Sequence, residues 1–415
     1  MEKKNYIIIG ALGGYISGAP IYYRNKALYM KSKGWNVYCV SCRGGKVYVD
    51  GLGQFIVGIF PEMVQKPYLL SRKRLRKIIH EIISCIPDTD HETVIETGTF
   101  YTAYWGELLA REIGARHTVV YLDEHNQGIY NQQSSFFRFK YEREELACIS
   151  AEAYKDIFSP FWQYDEKRAY TLPCYCTNSL EDIPSPIIAD VKKADCTIGY
   201  IGRLEKDAFR ALADGVEMFA AQYPTKTIAL NCFGDYDNQG ASARLKEKLS
   251  SHPNIQLYIS GFLFPIPKKA IGKCDLCFGS AGSVSVAVKA NVPTISMNVY
   301  SNLPNGFRID AKDVFLLTQC PGCSSVSDYL KVFFLGGFRP EMKVYDLQED
   351  ELMFEKLLSE HLTFLNRAME HDKDYYDVLG MGMTVTERFI KFIGLPVKSR
   401  LPIWLIRIVR NCMNF

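Results

Sequence analysis

The sequence predicts an α/β fold made of two doubly wound, Rossmann-like sheets. Strand-like and helix-like runs alternate through both halves of the chain, the pattern of βαβ units on a parallel sheet. At 415 residues the chain is long enough for two such domains, each with its own core. Between the halves, Leu172 to Lys193 carries Pro173, Pro184 and Pro186 and no sustained apolar period, which marks a linker. The expected division is 1–172, a linker at 173–193, a second domain at 194–375, and a C-terminal segment at 376–415.

The elements follow in order. Tyr6 to Gly10 (YIIIG) is a first strand running into a loop with Gly13-Gly14 and Ser17-Gly18-Ala19. Tyr22 to Lys33 has helical spacing, and Gly34-Trp35-Asn36-Val37 opens the next strand, Val37 to Ser41. Further strands are expected at Thr93 to Glu96, Thr118 to Leu122, Thr197 to Ile201, Thr227 to Phe233, Leu276 to Phe278 and Pro293 to Met297. Ser71 to Ile86, Asp350 to Leu365 and Thr384 to Ile393 read as helices.

The stretch Asp275 to Met297 (DLCFGSAGSVSVAVKANVPTISM) reads as strand, tight loop, short helix and strand. Gly279, Ser280, Ala281, Gly282 and Ser283 are small enough to let a backbone approach an anion. A helix beginning near Ser283 offers unpaired amides and its positive dipole end. The loop is therefore read as a phosphate cradle, with Ser280 and Ser283 adding hydroxyl donors. Some eighty residues upstream, the strand in Thr197 to Lys206 (TIGYIGRLEK) ends in Gly-Arg and delivers a Lys three positions on. Ligands of open α/β sheets bind outside the carboxyl ends of strands, so Arg203 and Lys206 are expected to face the same cleft. A guanidinium fork and a mobile ammonium suit a diphosphate.

These segments, with CFGD at Cys232 to Asp235 and VPTISM after the cradle, resemble the C-terminal half of a GT-B glycosyltransferase. The N-terminal glycine loop, long helix and GW-x-V entry resemble family-4-like sugar transferases of bacterial surface polysaccharide assembly. The resemblance covers roughly residues 6 to 390. It implies two Rossmann-like domains facing across a cleft, an acceptor site in the first, a nucleotide sugar in the second, and final helices crossing back to the first domain. Gly13 and Gly14 would then allow the facing domain to approach. One departure is clear: the family's two glutamates around the cradle helix fall here on Phe278 and Val286, so their sugar and ribose contacts are not carried over.

Composition narrows the choice. Nearly half the residues are apolar and the net charge is only +3, so no global pull on nucleic acid exists. Gly10-Ala11-Leu12-Gly13-Gly14 does not form the dinucleotide fingerprint G-x-G-x-x-G, and no G-x-x-x-x-G-K-[ST] occurs. Thirteen cysteines in core-like contexts fit buried thiols in a reducing compartment. Cys320-Pro-Gly-Cys323 and Cys274-x-x-Cys277 have zinc-like spacing, yet a structural site needs four ligands together, and none is expected. The charged start and strand-length run Tyr6 to Ile9 are unlike a secretory signal, and no run reaches the roughly 20 apolar residues of a membrane span.

Sugar transfer with inversion needs a group that takes the acceptor proton. Glu124 and His125, after the strand Thr118 to Leu122, are candidates, as is Glu96 at the end of Thr93 to Glu96; each could equally cap a helix or pair with Arg116 or Arg138. Ser71 to Ile86 gathers Leu75, Ile78, Ile79, Ile82, Ile83 and Ile86 on one face, with Arg72, Lys73, Arg74, Arg76 and Lys77 at its start. Cations at a helix N-terminus oppose the dipole, so an anionic lipid surface or a lipid-linked diphosphate acceptor is expected to draw them. The basic amphipathic tail Lys398 to Phe415 repeats the theme.

The expected activity is metal-independent hexosyl transfer, without cofactor, from a UDP- or GDP-linked sugar to a lipid-linked or polysaccharide acceptor in capsule or lipopolysaccharide assembly. The protein is expected in the cytoplasm, peripheral on the cytosolic face of the inner membrane, with no nucleic-acid partner. A nucleotide-sugar epimerase or a non-catalytic partner subunit of the same fold are the alternatives.

Overall fold

The computed structural model describes residues 4–87, 91–125, 129–236, 245–249, 251–298, 301–311, 316–343, 345 and 347–392. The tail at 398–415 lies outside the described residues.

The first half builds one parallel sheet from β1 (Lys4–Gly10), β2 (Asn36–Ser41), β3 (Ile56–Ile59), β4 (Glu92–Thr97), β5 (Arg116–Tyr121), β6 (Leu146–Cys148) and β7 (Tyr170–Thr171), in the order β3-β2-β1-β4-β5-β6-β7. The helices α1 (Gly18–Ser32), α2 (Arg72–Ser84), α3 (Phe100–Ile113), α4 (Asn131–Glu142) and α5 (Ala151–Phe158) connect and cover it. Because successive side chains alternate faces, Ile7 and Ile9 of β1 join one core while Tyr6 and Ile8 join another, and all four are fully buried. On α2 the apolar face is spent on the first of these cores, through Leu75, Ile78, Ile79 and Ile82, while Arg72 to Arg74, Arg76 and Lys77 are exposed.

A short strand β8 (Leu180–Glu181) in the linker pairs with β12 (Ile266–Pro267). The second half repeats the sheet plan with β9 (Cys196–Ile201), β10 (Ile228–Phe233), β11 (Ile255–Ile259), β13 (Leu276–Gly279), β14 (Thr294–Met297), β15 (Pro304–Arg308) and β16 (Leu317–Thr318), in the order β11-β10-β9-β13-β14-β15-β16. Among the described strands of this sheet only β15 runs against the rest, pairing antiparallel with β14 on one side and β16 on the other. Its helices include α6 (Asp207–Gln222), α7 (Gly282–Lys289) and α8 (Val326–Phe334). Ile198, Tyr200, Leu276 and Phe278 face one core and Cys277 the other. Cys274 and Cys277 pack over Gly199, whereas Cys320 and Cys323 belong to the opposite core, so the two cysteine pairs do not meet.

The return to the first domain starts earlier than residue 376. Helix α9 (Leu347–Glu370) already places Leu358, Phe364 and Leu365 in the core with Tyr6, Ile8 and α1, and Lys33 bonds Glu355 at 2.7 Å. Val378 and Met381 then enter the other core of that sheet, and Glu387 of α10 (Val385–Phe392) bonds Lys66 and Tyr68.

A buried polar cluster lies beneath this return. Glu96 accepts from the hydroxyls of Tyr6 at 2.5 Å and Tyr22 at 2.7 Å and pairs with Lys26 at 3.3 Å, every one of these groups being buried. His361 of α9 reaches Tyr22 at 3.3 Å, and burial followed by the Lys26 charge keeps it far below its ordinary value, hence neutral. Glu96→Gln or Lys26→Met alone leaves a buried charge without its counter-ion, and each should cost about 3 to 5 kcal/mol. The double variant should regain most of that loss, as read by urea unfolding.

Candidate functional site

The second sheet reverses its strand order between β9 and β13, since β9 connects outward to β10 and β11 before the chain returns to β13 on the other side. Such a reversal splays the connections apart and leaves a crevice at the carboxyl ends. Arg203 follows β9 and Ser280 follows β13, so the two motifs stand on opposite banks of it.

The crevice is a cleft of about 320 Å³ lined by Gly202, Arg203, Lys206, Gly234 and Ser280 to Ser283, with Ser17, Gly18 and Ile21 from the first domain and Thr177 and Asn178 from the linker. Its floor requires glycine. A Cβ on Gly234 would lie 1.9 Å from the carbonyl oxygen of Gly202, which itself has φ +144, so two backbones touch where side chains would close the cleft. The cradle helix α7 begins after Ala281, a non-glycine residue at φ 51, a conformation that L-residues hold only where the surroundings impose it.

Arg203 pairs with Glu205 at 3.1 Å and lies 5.8 Å from the ring of Tyr15, a ring that Arg43 also approaches at 4.3 Å. Lys206 is half-buried, and among the described residues no carboxylate lies within ion-pair distance of it. Burial and then the Arg203 charge lower its pKa, so the site holds two cations that a bound anion would relieve. Gly282 lines the cleft, and a Cβ there would also meet the Thr177 hydroxyl at 3.3 Å, so the glycine leaves room for the linker as well. Phe278 and Val286 are fully buried in the cores, and neither presents anything to the cleft.

Gly13 and Gly14 do not line the cleft. Gly14 donates to the Lys46 carbonyl at 2.9 Å, and a Cβ on Gly13 would meet the Gly45 oxygen at 3.1 Å, so the pair packs against its own domain. The close approach comes at Gly18, whose Cβ would stand 3.1 Å from that of Cys176. Glu96 is likewise removed from the cleft by the tyrosines and lysine that bury it.

Glu124 and His125 line a second, larger cavity of about 960 Å³. His125 Nδ1 lies 2.8 Å from Asp156 of α5, an arrangement that orients the imidazole. Gly18 and Cys176 border both cavities, which are therefore neighbours. Sequence reasoning passed over Asp123, next to these two. Burial pushes its carboxyl up to about 6, and its charge is felt by Tyr101 at the start of α3. Its place directly after a strand was visible in the sequence, but its burial was not.

No family model matches the chain, and no curated protein matches it in sequence. Among solved structures it is similar to the glycosyltransferase from Rickettsia africae ESF-5, at 13% identity over 89% of this chain and 100% of that chain, with a TM-score of 0.55. The fold is GT-B. Structures with TM-scores of 0.49 and 0.46 are Anabaena HepE in complex with UDP and glucose, at 12% identity over 72% of this chain and 81% of that one, and the UDP-GlcNAc 2-epimerase from Neisseria meningitidis bound to UDP-GlcNAc, at 10% identity over 87% and 99%.

In this GT-B frame Asp123 stores free energy. Its folded pKa lies above that of the unfolded chain, so the penalty is absent below about pH 4, grows as pH rises to about 6, and amounts to about 3 kcal/mol at pH 7. Asp123→Asn should therefore raise the Tm by several degrees at pH 7 and leave it unchanged at pH 4, as measured by thermal unfolding.

Proposed function

We propose that this protein is a glycosyltransferase that moves a sugar from a nucleoside-diphosphate sugar, UDP- or GDP-linked, to a glycan acceptor. The convergence of Arg203, Lys206, the Gly202–Gly234 backbone contact and the Ser280 to Ser283 loop on one cleft carries this reading. A leaving diphosphate gains negative charge in the transition state, and preorganised cations and amides lower the barrier only as that charge develops. Arg203 supplies a fork, Lys206 a point charge, and the first turn of α7 its amides. In this reading the two cations and the amides take the place of a metal.

On the facing side, His125 held by Asp156 is the group proposed to take the acceptor proton, with Glu124 beside it. The acceptor is proposed to belong to capsule or lipopolysaccharide assembly and to reach the enzyme at the cytosolic face of the inner membrane. The exposed cations of α2 and the basic tail support membrane contact, since each such residue near an anionic surface contributes about 1 kcal/mol.

Arg203→Ala and Lys206→Ala should each lower donor turnover by roughly tenfold to over a hundredfold, because charge-assisted contacts contribute about 1.5 to 3 kcal/mol. The fold should be unaffected, as exposed or half-exposed loop charges add little to stability. Steady-state kinetics with a nucleotide-sugar panel tests this, and wild-type rates in both variants would exclude the diphosphate assignment. Incubation with donor alone separates the readings: an epimeric product would mark an epimerase, and binding without turnover a non-catalytic subunit.

Deleting Lys398 to Phe415 should shift the protein away from anionic vesicles in a flotation assay, and high salt should partly reproduce the effect. A truncated chain that no longer folds would instead make the tail part of the body.

A further inference from the structure

Two glycine pairs of the first domain lie against each other. Gly13-Gly14 follows β1 and Gly44-Gly45 follows β2, and a Cβ on Gly13 would meet the carbonyl oxygens of Gly45 at 3.1 Å and Arg43 at 3.3 Å. A Cβ on Gly45, at φ +105, would stand 3.1 Å from the Cα of Gly14, itself at φ +88. Backbones can approach this closely only without side chains. The buried Ser41 hydroxyl ties the same two loops, accepting from the amides of Leu12 and Arg43, both at 3.2 Å, and donating to the Arg43 carbonyl at 2.7 Å. Tyr15, next after Gly14, and Arg43, just before Gly44, are thereby brought together.

The Arg43 guanidinium lies 4.3 Å from the centre of the Tyr15 ring. A Cβ on Gly14 would meet its Nε at 3.0 Å, so that glycine leaves room for the arginine side chain. From the other domain, Arg203 approaches the same ring at 5.8 Å. Both fall within the roughly 6 Å over which an aromatic ring attracts a cation. Arg203 also pairs with Glu205, but both side chains are about a third exposed, and an ion pair so placed holds a side chain weakly. An uncharged ring orients a guanidinium without neutralising it, which leaves its charge for a diphosphate. Tyr48, farther along the loop of Arg43, meets Phe262 at 5.0 Å, and Phe262 lines the cleft. The first domain therefore sets a ring against each of two cleft-lining residues of the second.

We propose that Tyr15 is a positioning residue for Arg203: its ring, seated by Arg43, holds the guanidinium where it meets the leaving diphosphate. The proposal rests on the reading of the cleft as the nucleotide-sugar site. It gives the Gly13-Gly14 loop a part in donor binding although neither glycine lines the cleft.

Calorimetric titration of the full chain with UDP and GDP tests the assignment. For whichever nucleotide binds, Tyr15→Leu should weaken affinity about two- to fivefold, the scale of a cation–ring contact at a partly exposed site. Tyr15→Phe keeps the ring and should restore affinity. Arg203→Met should weaken binding more, and adding Tyr15→Leu to it should change nothing further, because the ring then has no guanidinium to hold. Arg43→Met should weaken binding alone and have no effect in the Tyr15→Leu background. Phenylglyoxal labelling, followed by peptide mass mapping without nucleotide, reads the hold on Arg203 directly. Arg203 should react faster in Tyr15→Leu and Arg43→Met than in the wild type or Tyr15→Phe, while the exposed Arg210 should react equally in all four and so report an intact fold.

Wild-type affinity or wild-type Arg203 labelling in Tyr15→Leu, a Tyr15→Phe variant as weak as Tyr15→Leu, or additive losses in the double variant with Arg203 would overturn the proposal. If neither UDP nor GDP binds the wild type or slows its labelling at Arg203, the reading of the cleft falls instead, and labelling across the Tyr15 variants still decides whether the ring holds Arg203.

Discussion

Both sheets are covered on two faces, and that coverage decides where chemistry can occur. Parallel strands such as β1 and β9 present apolar side chains above and below, so their middles contain no accessible polar group. Function is pushed to the carboxyl ends, and in the second sheet to the one place where the order of strands reverses. There, two glycine backbones in contact keep the crevice open, and a helix begins under a strained residue.

Holding two such domains face to face requires more than a linker. Helix α9 leaves the second half and completes a core of the first, while His361 reaches the hydroxyl of Tyr22 and the carbonyl of Pro173. Tyr22 also lines the larger cavity, so the cluster that anchors the return helix is continuous with a wall of that cavity. Aromatic contacts add to this across the cleft, with Tyr48 against Phe262 at 5.0 Å and Arg24 over Phe264 at 5.4 Å. The larger cavity and the domain attachment therefore share Tyr22.

The adjoining cavities give the site a division by charge. Arg203 and Lys206 line the smaller cavity and Glu124, Glu152 and Asp156 the larger, and the small residue Gly18 and Cys176 border both.

The sequence by itself determined the strand and helix plan, the strand–loop–helix–strand run of Asp275 to Met297, and the place of Arg203 and Lys206 after a strand, because these depend on local pattern: apolar runs of strand length, small residues in a turn, and polar residues directly after a strand. It could not show which strand-end residues face the cleft. Glu96, Asp123 and Glu124 all follow or end apolar strands, yet one is buried under two tyrosines and a lysine, one is half-buried with a raised pKa, and one is exposed. Gly13, Gly18 and Gly282 are alike as letters but meet a loop of the same domain, the start of the linker, and Thr177. Those differences arise from side chains and backbones that lie far apart in the chain and meet only on folding. Burial and charge balance at each strand end were for this reason decided by the tertiary structure alone.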